Sequence, residues 1–243
     1  MHYSSVKEIV AHLEAEPAES GGNIYHPIPF PEFAHLKSSS DADQVRAKWE
    51  MIQNGLHLAL PGGMAGRTVL DVGANCGFYT FSLAQQGAKV TAFEPHSRYG
   101  PIGQFLAAEK KLPVDWHCAA FSPEAIRDQR FDVALLLSVF QWMAAGGQNL
   151  AGASAELRAI SESSDCLVFE LGFNRGKSCL TTRRWNHYAA LIRLLRDATV
   201  YNHFKLLGQP RIWRRYARHL VLCSHRADLE DSLIRRCIRG IGI

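Results

Sequence analysis

Apolar residues recur along the chain with two spacings, one typical of buried strands and one typical of amphipathic helices. Short apolar runs predict strands at 68–72, 89–93, 113–121, 131–140, 165–171, 204–208 and 219–223. Apolar residues three and four apart predict helices at 4–15, 45–56, 78–86, 97–107, 150–163 and 182–195. Because strands and helices alternate, we expect an α/β protein with a doubly wound, seven-stranded, mostly parallel sheet whose last two strands form an antiparallel pair.

A glycine turn joins the first of these strands to a helix within residues 68–80. Gly73 and Gly77 leave room for a ligand to approach the backbone, and the first N–H groups of the helix face the same space. Asp71, at the strand end, can accept hydrogen bonds from an ammonium group. Glu94 ends the next strand, 17 residues after Gly77, where an acid can accept from both hydroxyls of a ribose. The pattern predicts a nucleoside-cofactor site; the alternative is a tight turn beside a solvated acid.

The runs Val-Leu-Asp-Val-Gly-Ala-Asn-Cys-Gly (69–77) and Val-Thr-Ala-Phe-Glu-Pro (90–95) resemble the first two motifs of the class I S-adenosylmethionine-dependent methyltransferases. Asn75 stands where the family often has a middle glycine, and Asn adopts positive φ more readily than most residues. The resemblance implies a Rossmann-like fold that binds S-adenosylmethionine and releases S-adenosylhomocysteine. The cofactor-binding residues that it implies are Asp71, Gly73, Ala74, Asn75, Gly77, Phe78, Glu94, Pro95, Ala119, Ala120, Phe121 and Ser138.

The acceptor is expected at the carboxyl end of the apolar run 131–140, because doubly wound sheets bind ligands outside the carboxyl ends of their strands. The predicted substrate-binding residues are Gln141, Trp142, Arg175 and Arg211. For Trp142, an ordinary core aromatic is an equal alternative. The motif Asn/Asp-Pro-Pro-Tyr/Phe is not found here, which argues against methylation of exocyclic base nitrogens or glutamine amides.

A hydroxyl acceptor benefits from a general base. We predict Glu170 and His187 for this role, because both lie at or beyond the fifth strand, near the expected mouth of the site. A buried acid at a strand end can instead be paired structurally. The other available histidines are His26, His35 and His96.

With 243 residues, 47% of them hydrophobic, the chain can form one large α/β domain. The predicted division is an N-terminal cap (1–60), a methyltransferase domain (61–226) and a basic amphipathic tail (227–243). No run of 18 apolar residues and no secretion-signal pattern occurs in the sequence, so we expect a cytoplasmic protein. Its six cysteines form no C-x-x-C pair, which argues against a metal site or a disulfide framework.

Positive charge is concentrated in the last third of the chain. Residues 175–243 contain 15 Lys and Arg against 4 Asp and Glu, whereas the whole chain has a net charge of +4. This asymmetry predicts an anionic partner, with solvated helix faces as an equal alternative. Four arginines are interleaved with two aromatic residues in 209–218, a pattern that suits phosphate or RNA contact and also a solvent-facing hairpin. The tail 227–243 suits peripheral contact with an anionic membrane at its inner face.

The segments 137–142 and 167–171 resemble methyltransferases that cap bacterial surface polysaccharides. A looser likeness, over about a dozen residues around Trp49, extends to these enzymes and to methyltransferases of wobble uridine in tRNA. The resemblance implies O-methylation of a sugar, a phosphorylated glycan or another small acidic acceptor. An RNA methyltransferase and a catalytically silent cofactor-binding scaffold are the two alternatives.

Overall fold

The computed structural model describes residues 2–18, 21–172, 188–212 and 216–229. The helices are α1 (Val6–Ala15), α2 (Ala42–Ala59), α3 (Phe78–Ala84), α4 (Tyr99–Glu109), α5 (Phe140–Met143), α6 (Leu150–Glu162) and α7 (Tyr188–Ala198). The strands are β1 (Thr68–Val72), β2 (Lys89–Phe93), β3 (Val114–His117), β4 (Phe131–Leu137), β5 (Ser164–Glu170), β6 (His203–Gly208), β7 (Arg211–Ile212), β8 (Tyr216–Ala217) and β9 (Leu220–Ser224).

The main sheet has seven strands in the order β3-β2-β1-β4-β5-β9-β6, and β7 and β8 form a separate two-stranded sheet. β2 pairs in parallel with β1 and β3, and β4 pairs in parallel with β5. β9 runs antiparallel to both β5 and β6. The doubly wound, mostly parallel sheet and its final antiparallel pair are therefore confirmed.

The chain divides into two compact units, which are described separately. The first comprises Met1–Glu50, Gly62–Phe121 and Arg211–Tyr216, and the second Met51–Pro61, Ser122–Pro210 and Ala217–Ile243. The domain boundaries at 60 and 226 stay a prediction. In the part of the chain that the structure describes, no helix combines the length and the apolarity needed to span a membrane.

In the first unit, β1 is buried from Val69 onward, and every residue of α3 is buried. Such continuous burial is typical of a parallel strand covered on both faces. The ring of Phe81 on α3 stacks on that of Trp116, with centroids 5.7 Å apart. Phe30 and Phe33, which lie in and just after a segment with three prolines (27–31), are also buried, so these two aromatic residues serve packing.

In the second unit, β4 and β5 pair from Phe131↔Ser164 to Leu137↔Glu170. Their apolar residues are almost fully buried except Leu137, and α6 adds Leu157 and Ile160 to the same core. Glu170, the last residue of β5, also lies opposite Leu220 at the start of β9. This register brings the beginning of the last strand to the carboxyl ends of β4 and β5.

Several predicted boundaries differ from the structure. The fourth strand, expected over 131–140, ends at Leu137, and α5 begins at Phe140. The third strand was expected to reach Phe121 but ends at His117, because its partner β2 ends at Phe93, opposite His117. The helix predicted at 182–195 is described from Tyr188, and it continues to Ala198.

Candidate functional site

The loop after β1 is held against the end of β2. The backbone N–H groups of Gly73 and Ala74 both donate to the carbonyl oxygen of Phe93, over 2.8 and 3.1 Å. Gly73, Asn75 and Gly77 have φ values of 78°, 54° and 84°, which lie in the left-handed region that side-chain-bearing residues seldom adopt. The backbone therefore makes the tight turn that the glycine spacing predicts.

Gly77 ends this turn immediately before α3. A Cβ atom at Gly77 would lie 2.3 Å from the ring of Phe81, one turn further along the helix. A side chain here is thus opposed both by the positive φ and by this close approach. Phe78, the first residue of α3, is itself buried.

Glu94 joins the two halves of the predicted cofactor site. One carboxylate oxygen accepts the backbone N–H of Asn75 at 2.7 Å, and the other accepts that of His96 at 2.8 Å. The side chain is 7% exposed. Each carboxylate oxygen has a second lone pair, so Glu94 can hold the loop and still accept from two ligand hydroxyls. The sequence predicted that Glu94 binds the ligand, but it did not predict that Glu94 also holds the loop after β1.

Asp71 occupies the end of β1, where its carboxylate accepts the hydroxyl hydrogen of Thr80 at 2.5 Å. Burial raises the pKa of Asp71 to about 6; the bond from Thr80 and the charge of Lys48 act in the opposite direction, and the charge of Glu94 adds to the increase. The site therefore contains an acid whose charge is poorly solvated and responsive to a nearby cation.

Lys48 on α2 lies close to this acid and is only 4% exposed. Its ammonium nitrogen is 5.4 Å from the centroid of the Tyr79 ring, within the range of a cation–π interaction. The long side chain of Lys48 buries its stem and places the ammonium group over an aromatic ring.

A second polar cluster lies at the carboxyl ends of β4 and β5. Ser138 follows β4 with φ 61°, and its hydroxyl donates to a carboxylate oxygen of Glu170. Arg218 donates from Nη1 to the Ser138 Oγ at 2.7 Å, and the same nitrogen is 3.8 Å from Glu170 Oε2. Glu170 is fully buried and Arg218 is 4% exposed. These residues form a buried ion pair with a hydroxyl inserted into it.

Gln141 fixes the backbone around this cluster. Its amide nitrogen donates to the carbonyl oxygen of Ser138 at 2.6 Å, and its amide oxygen accepts the N–H of Gly172 at 3.1 Å. Gln141 is 1% exposed, whereas the adjacent Trp142 is 60% exposed. The alternative that Trp142 is a core aromatic is therefore wrong, and its indole is available to a ligand.

The remaining predicted cofactor residues lie around the ends of β2 and β3. Pro95, Ala119 and Ala120 are exposed. Phe121 is 9% exposed and contacts Phe93 edge-on, with centroids 5.6 Å apart. The structure thus leaves small side chains at the exit from β3, where a flat ring can approach.

The structure describes some of the residues that were predicted to bind the acceptor or to act as the base. Arg211 is exposed on β7, and Arg175 and His187 lie outside the described residues. His35 pairs with Glu14 at 3.3 Å, and the His96 Nδ1 accepts the backbone N–H of Arg98 at 3.2 Å. His26 contacts the ring of Tyr79, with centroids 6.0 Å apart. Of the two preferred catalytic residues, the structure describes Glu170 alone.

Sequence reasoning did not single out Arg218. It was one of four arginines in a segment interpreted as a whole, and the run of charge did not distinguish it from Arg211, which is exposed. Its position two residues before β9 was the available signal, because an antiparallel β5–β9 pair brings that point to the end of β5. Burial of the guanidinium could be known only from the structure.

The family model described as a methyltransferase domain matches residues 70–164. The match begins inside β1 and ends at the first residue of β5, so it contains the glycine turn, Glu94 and Ser138. Residues 70–164 therefore match a methyltransferase domain, in agreement with the resemblance of 69–77 and 90–95 to the class I S-adenosylmethionine-dependent methyltransferases. S-adenosylmethionine is accordingly the cofactor for which the site is to be tested.

Two curated ubiquinone biosynthesis O-methyltransferases are similar to part of this chain. The protein from Methylobacterium sp. (strain 4-46) is 29% identical over 84 residues, which are 35% of this chain and 34% of the relative. The protein from Chromobacterium violaceum is 35% identical over 57 residues, which are 24% of this chain and 25% of the relative. The matched region thus spans about a quarter to a third of the relatives' length.

Three solved structures share the methyltransferase fold. The bifunctional kinase-methyltransferase WbdD has a TM-score of 0.65 at 20% identity, and the match covers 89% of this chain and 47% of WbdD. The N-terminal domain of EvdMO1, crystallised in the presence of S-adenosylhomocysteine and D-fucose, has a TM-score of 0.60 at 16% identity. This match covers 93% of this chain and 98% of the EvdMO1 domain. Magnesium protoporphyrin IX methyltransferase from Synechocystis PCC 6803, with bound S-adenosylhomocysteine, has a TM-score of 0.51 at 18% identity. This match covers 75% of this chain and 86% of the Synechocystis protein.

The residues of the first unit fit S-adenosylmethionine chemically. The amide oxygen of Asn75 is buried and has no hydrogen-bond partner among the described residues, so it needs a donor from elsewhere. The cofactor offers an ammonium group and two ribose hydroxyls. Glu94 retains acceptor capacity for the hydroxyls, and the buried Asp71 gains from a nearby cation.

Proposed function

We propose that this methyltransferase transfers the methyl group of S-adenosylmethionine to a hydroxyl of a sugar, a phosphorylated glycan or another small acidic acceptor. The observation that carries the proposal is Glu170, a fully buried carboxylate at the carboxyl end of β5 that accepts a hydrogen bond from Ser138. A carboxylate in this position can take up the proton that a hydroxyl loses on methylation. The matched ubiquinone biosynthesis O-methyltransferases support an oxygen acceptor, and the D-fucose in the EvdMO1 crystals suggests a sugar as a probe.

Within the proposal, Asp71, Asn75 and Glu94 hold the cofactor, together with the glycine turn. When bound, S-adenosylmethionine supplies a methyl group that its sulfonium already makes electrophilic. The contribution of the chain is to align the acceptor oxygen and to accept its proton. Glu170 has the second of these tasks.

On the acceptor side, the exposed indole of Trp142 offers a face for a sugar or aromatic ring. Arg175 and Arg211 are proposed to contact an acidic group on the acceptor, in keeping with the excess of Lys and Arg in residues 175–243. We also propose a cytoplasmic location. The four cysteines among the described residues are free thiols, as is usual in a reducing compartment.

The first test has two stages. Calorimetric titration with S-adenosylhomocysteine determines whether the cofactor binds. Methyl transfer from radiolabelled S-adenosylmethionine is then measured with D-fucose, glucose 6-phosphate and 3,4-dihydroxybenzoate as hydroxyl probes, and with bulk tRNA as an alternative acceptor.

Transfer to a hydroxyl probe supports the proposal. Transfer to tRNA alone replaces it with the RNA methyltransferase alternative, whose binding would weaken steeply with salt. Cofactor binding with no transfer to any probe favours a silent cofactor-binding scaffold. No binding of S-adenosylhomocysteine contradicts the assignment of the cofactor site itself.

A further inference from the structure

Ser138 is the partly exposed member of an otherwise buried cluster. Its side chain is half-buried, whereas Glu170 is fully buried and Arg218 is 4% exposed. An acceptor hydroxyl that enters from solvent therefore meets Ser138 before it meets the carboxylate of Glu170. This order matters, because a proton moves directly only between groups within hydrogen-bond distance.

The hydrogen-bonding capacity of the Ser138 hydroxyl is only partly used. Its single hydrogen is donated to Glu170 Oε2, and one lone pair accepts from Arg218 Nη1. A hydroxyl oxygen has two lone pairs. These two are the polar contacts of Ser138 Oγ within the described residues, so one lone pair is left to accept a hydrogen bond from an incoming O–H group.

The backbone of Ser138 is held in an unusual conformation. Its φ of 61° is seldom adopted by a residue with a side chain, and the bond from Gln141 to its carbonyl oxygen helps to hold it there. Residues kept in such conformations occur often at functional sites. Here the conformation accompanies contacts with both Glu170 and Arg218, so it aims the hydroxyl into the ion pair.

We propose that Ser138 relays the acceptor proton to Glu170, and that Arg218 is a positioning residue that orients the Ser138 hydroxyl. This inference rests on the proposed O-methylation and changes the role predicted for Ser138 from cofactor binding to proton transfer. It also explains how a carboxylate without solvent access can act as the general base.

The step is balanced in atoms and charge. The acceptor oxygen forms its bond to the methyl carbon with its own electron pair, and the broken S–CH3 bond leaves its pair on sulfur. The acceptor proton passes to Ser138 Oγ while the original hydroxyl proton of Ser138 passes to Glu170 Oε2. Glu170 becomes neutral, the positive charge of the sulfonium is lost, and the proton returns to water through Ser138 after the product leaves.

The decisive variant is Ser138→Gly. It removes the hydroxyl, leaves both members of the ion pair in place, and suits a positive φ, so its fold should be retained. Glu170→Gln and Arg218→Lys are the companion variants. Glu170→Gln removes one charge of the buried pair and is expected to destabilise the fold, whereas Arg218→Lys keeps the positive charge and changes only the geometry of its donors. Arg158 and Glu162 form an exposed pair at 3.1 Å, so Arg158→Lys and Glu162→Gln are the matched controls.

The experiment measures kcat and KM for the three hydroxyl probes between pH 6 and 8, and the Kd for S-adenosylhomocysteine. For Ser138→Gly we expect kcat to fall about 100-fold or more, with KM and Kd within about twofold of wild type. Without the relay, the acceptor anion must form in solvent, so kcat should rise about tenfold per pH unit in Ser138→Gly and Glu170→Gln but not in wild type. Arg218→Lys should lower kcat less than Ser138→Gly and keep the wild-type pH profile.

Three results would overturn the relay while the wild type still methylates a hydroxyl probe. The first is a Ser138→Gly variant with wild-type kcat, and the second is a kcat that falls by the same factor at every pH. The third is a Ser138→Gly variant that loses only affinity for S-adenosylhomocysteine, which would restore the cofactor-binding role of Ser138. If the wild type methylates none of the hydroxyl probes, the proposed function itself is wrong and the relay is wrong with it.

Discussion

A carboxylate oxygen of Glu94 lies 2.7 Å from the backbone nitrogen of Asn75, so the acid that ends β2 closes the loop that follows β1. One side chain therefore shapes the turn and presents acceptors to the ligand. Loss of the carboxylate should affect both loop order and cofactor binding.

For Glu94→Ala we expect the affinity for S-adenosylhomocysteine to fall about tenfold or more, equivalent to about 1.4 kcal/mol. Glu94→Gln should lie between the two proteins, because its amide oxygen can accept one of the two backbone N–H groups and its amide nitrogen neither. Calorimetric titration measures the affinities. Glu124→Gln, an exposed acid bonded to Ser122, is the control. Unchanged affinity in Glu94→Ala would remove Glu94 from the cofactor site.

Alanine variants of two glycines with similar backbone angles can distinguish the cost of a positive φ from the cost of a steric clash. Gly77 and Gly66 have φ values of 84° and 75°, but an added Cβ meets Phe81 at 2.3 Å at Gly77 and nothing within 4 Å at Gly66. Both alanine variants lose roughly 1 kcal/mol of stability through the positive φ. Gly77→Ala should lose about 1–3 kcal/mol more. Urea unfolding measures the difference, and equal losses would show that the Phe81 ring moves aside freely.

The ionised carboxylate of Asp71 should lower the free energy of unfolding at neutral pH. Burial raises its pKa in the folded protein to about 6, from the ordinary value of 3.8, so the folded state binds a proton more readily than the unfolded state. Ionisation therefore weakens the fold as pH rises from about 4 through 6, by roughly 3 kcal/mol in total. Asp71→Asn, which can still accept from Thr80, should have a higher Tm than wild type at pH 7.5 and a similar Tm near pH 4.

The same variant should bind S-adenosylhomocysteine more weakly, since the amide cannot attract an ammonium group as a carboxylate does. Thermal unfolding at the two pH values and calorimetric titration at pH 7.5 test the two parts separately. A Tm difference of the same size at both pH values would contradict the assignment of the titration to Asp71.

Trp142 and Trp116 provide a matched pair of indoles, 60% and 6% exposed. Trp116→Ala should lose about 3–5 kcal/mol of stability, because it leaves a cavity beneath Phe81. Trp142→Ala should change stability by less than about 0.5 kcal/mol and should instead raise the KM for a ring-bearing acceptor. Urea unfolding and initial rates with 3,4-dihydroxybenzoate measure both effects. An unchanged KM would show that the acceptor does not contact this indole.

The sequence predicted the elements whose apolar pattern is continuous. The runs around Val69, Val90 and Leu135 are buried parallel strands, and the glycine turn has the positive φ values that Gly73 and Gly77 allow. Local spacing is enough for such features, because strand burial and turn geometry depend on neighbouring residues.

Side-chain partners across the fold could not be predicted in the same way. Arg218 is 80 residues from Ser138 and 48 from Glu170, and no local pattern marks such a contact. Lys48 is buried although lysine usually faces solvent. Both positions depend on strand order and helix packing, which a single sequence specifies only through the complete fold.

The Gln141 side chain also links the backbone at the carboxyl ends of β4 and β5. Its hydrogen bonds to the Ser138 carbonyl and the Gly172 amide join the two chain segments just beyond the last paired residues of β4 and β5. The two chain segments leaving those strands are therefore mechanically coupled at their origin. A displacement of either segment at this point therefore strains the Gln141 side chain and, through it, the other segment.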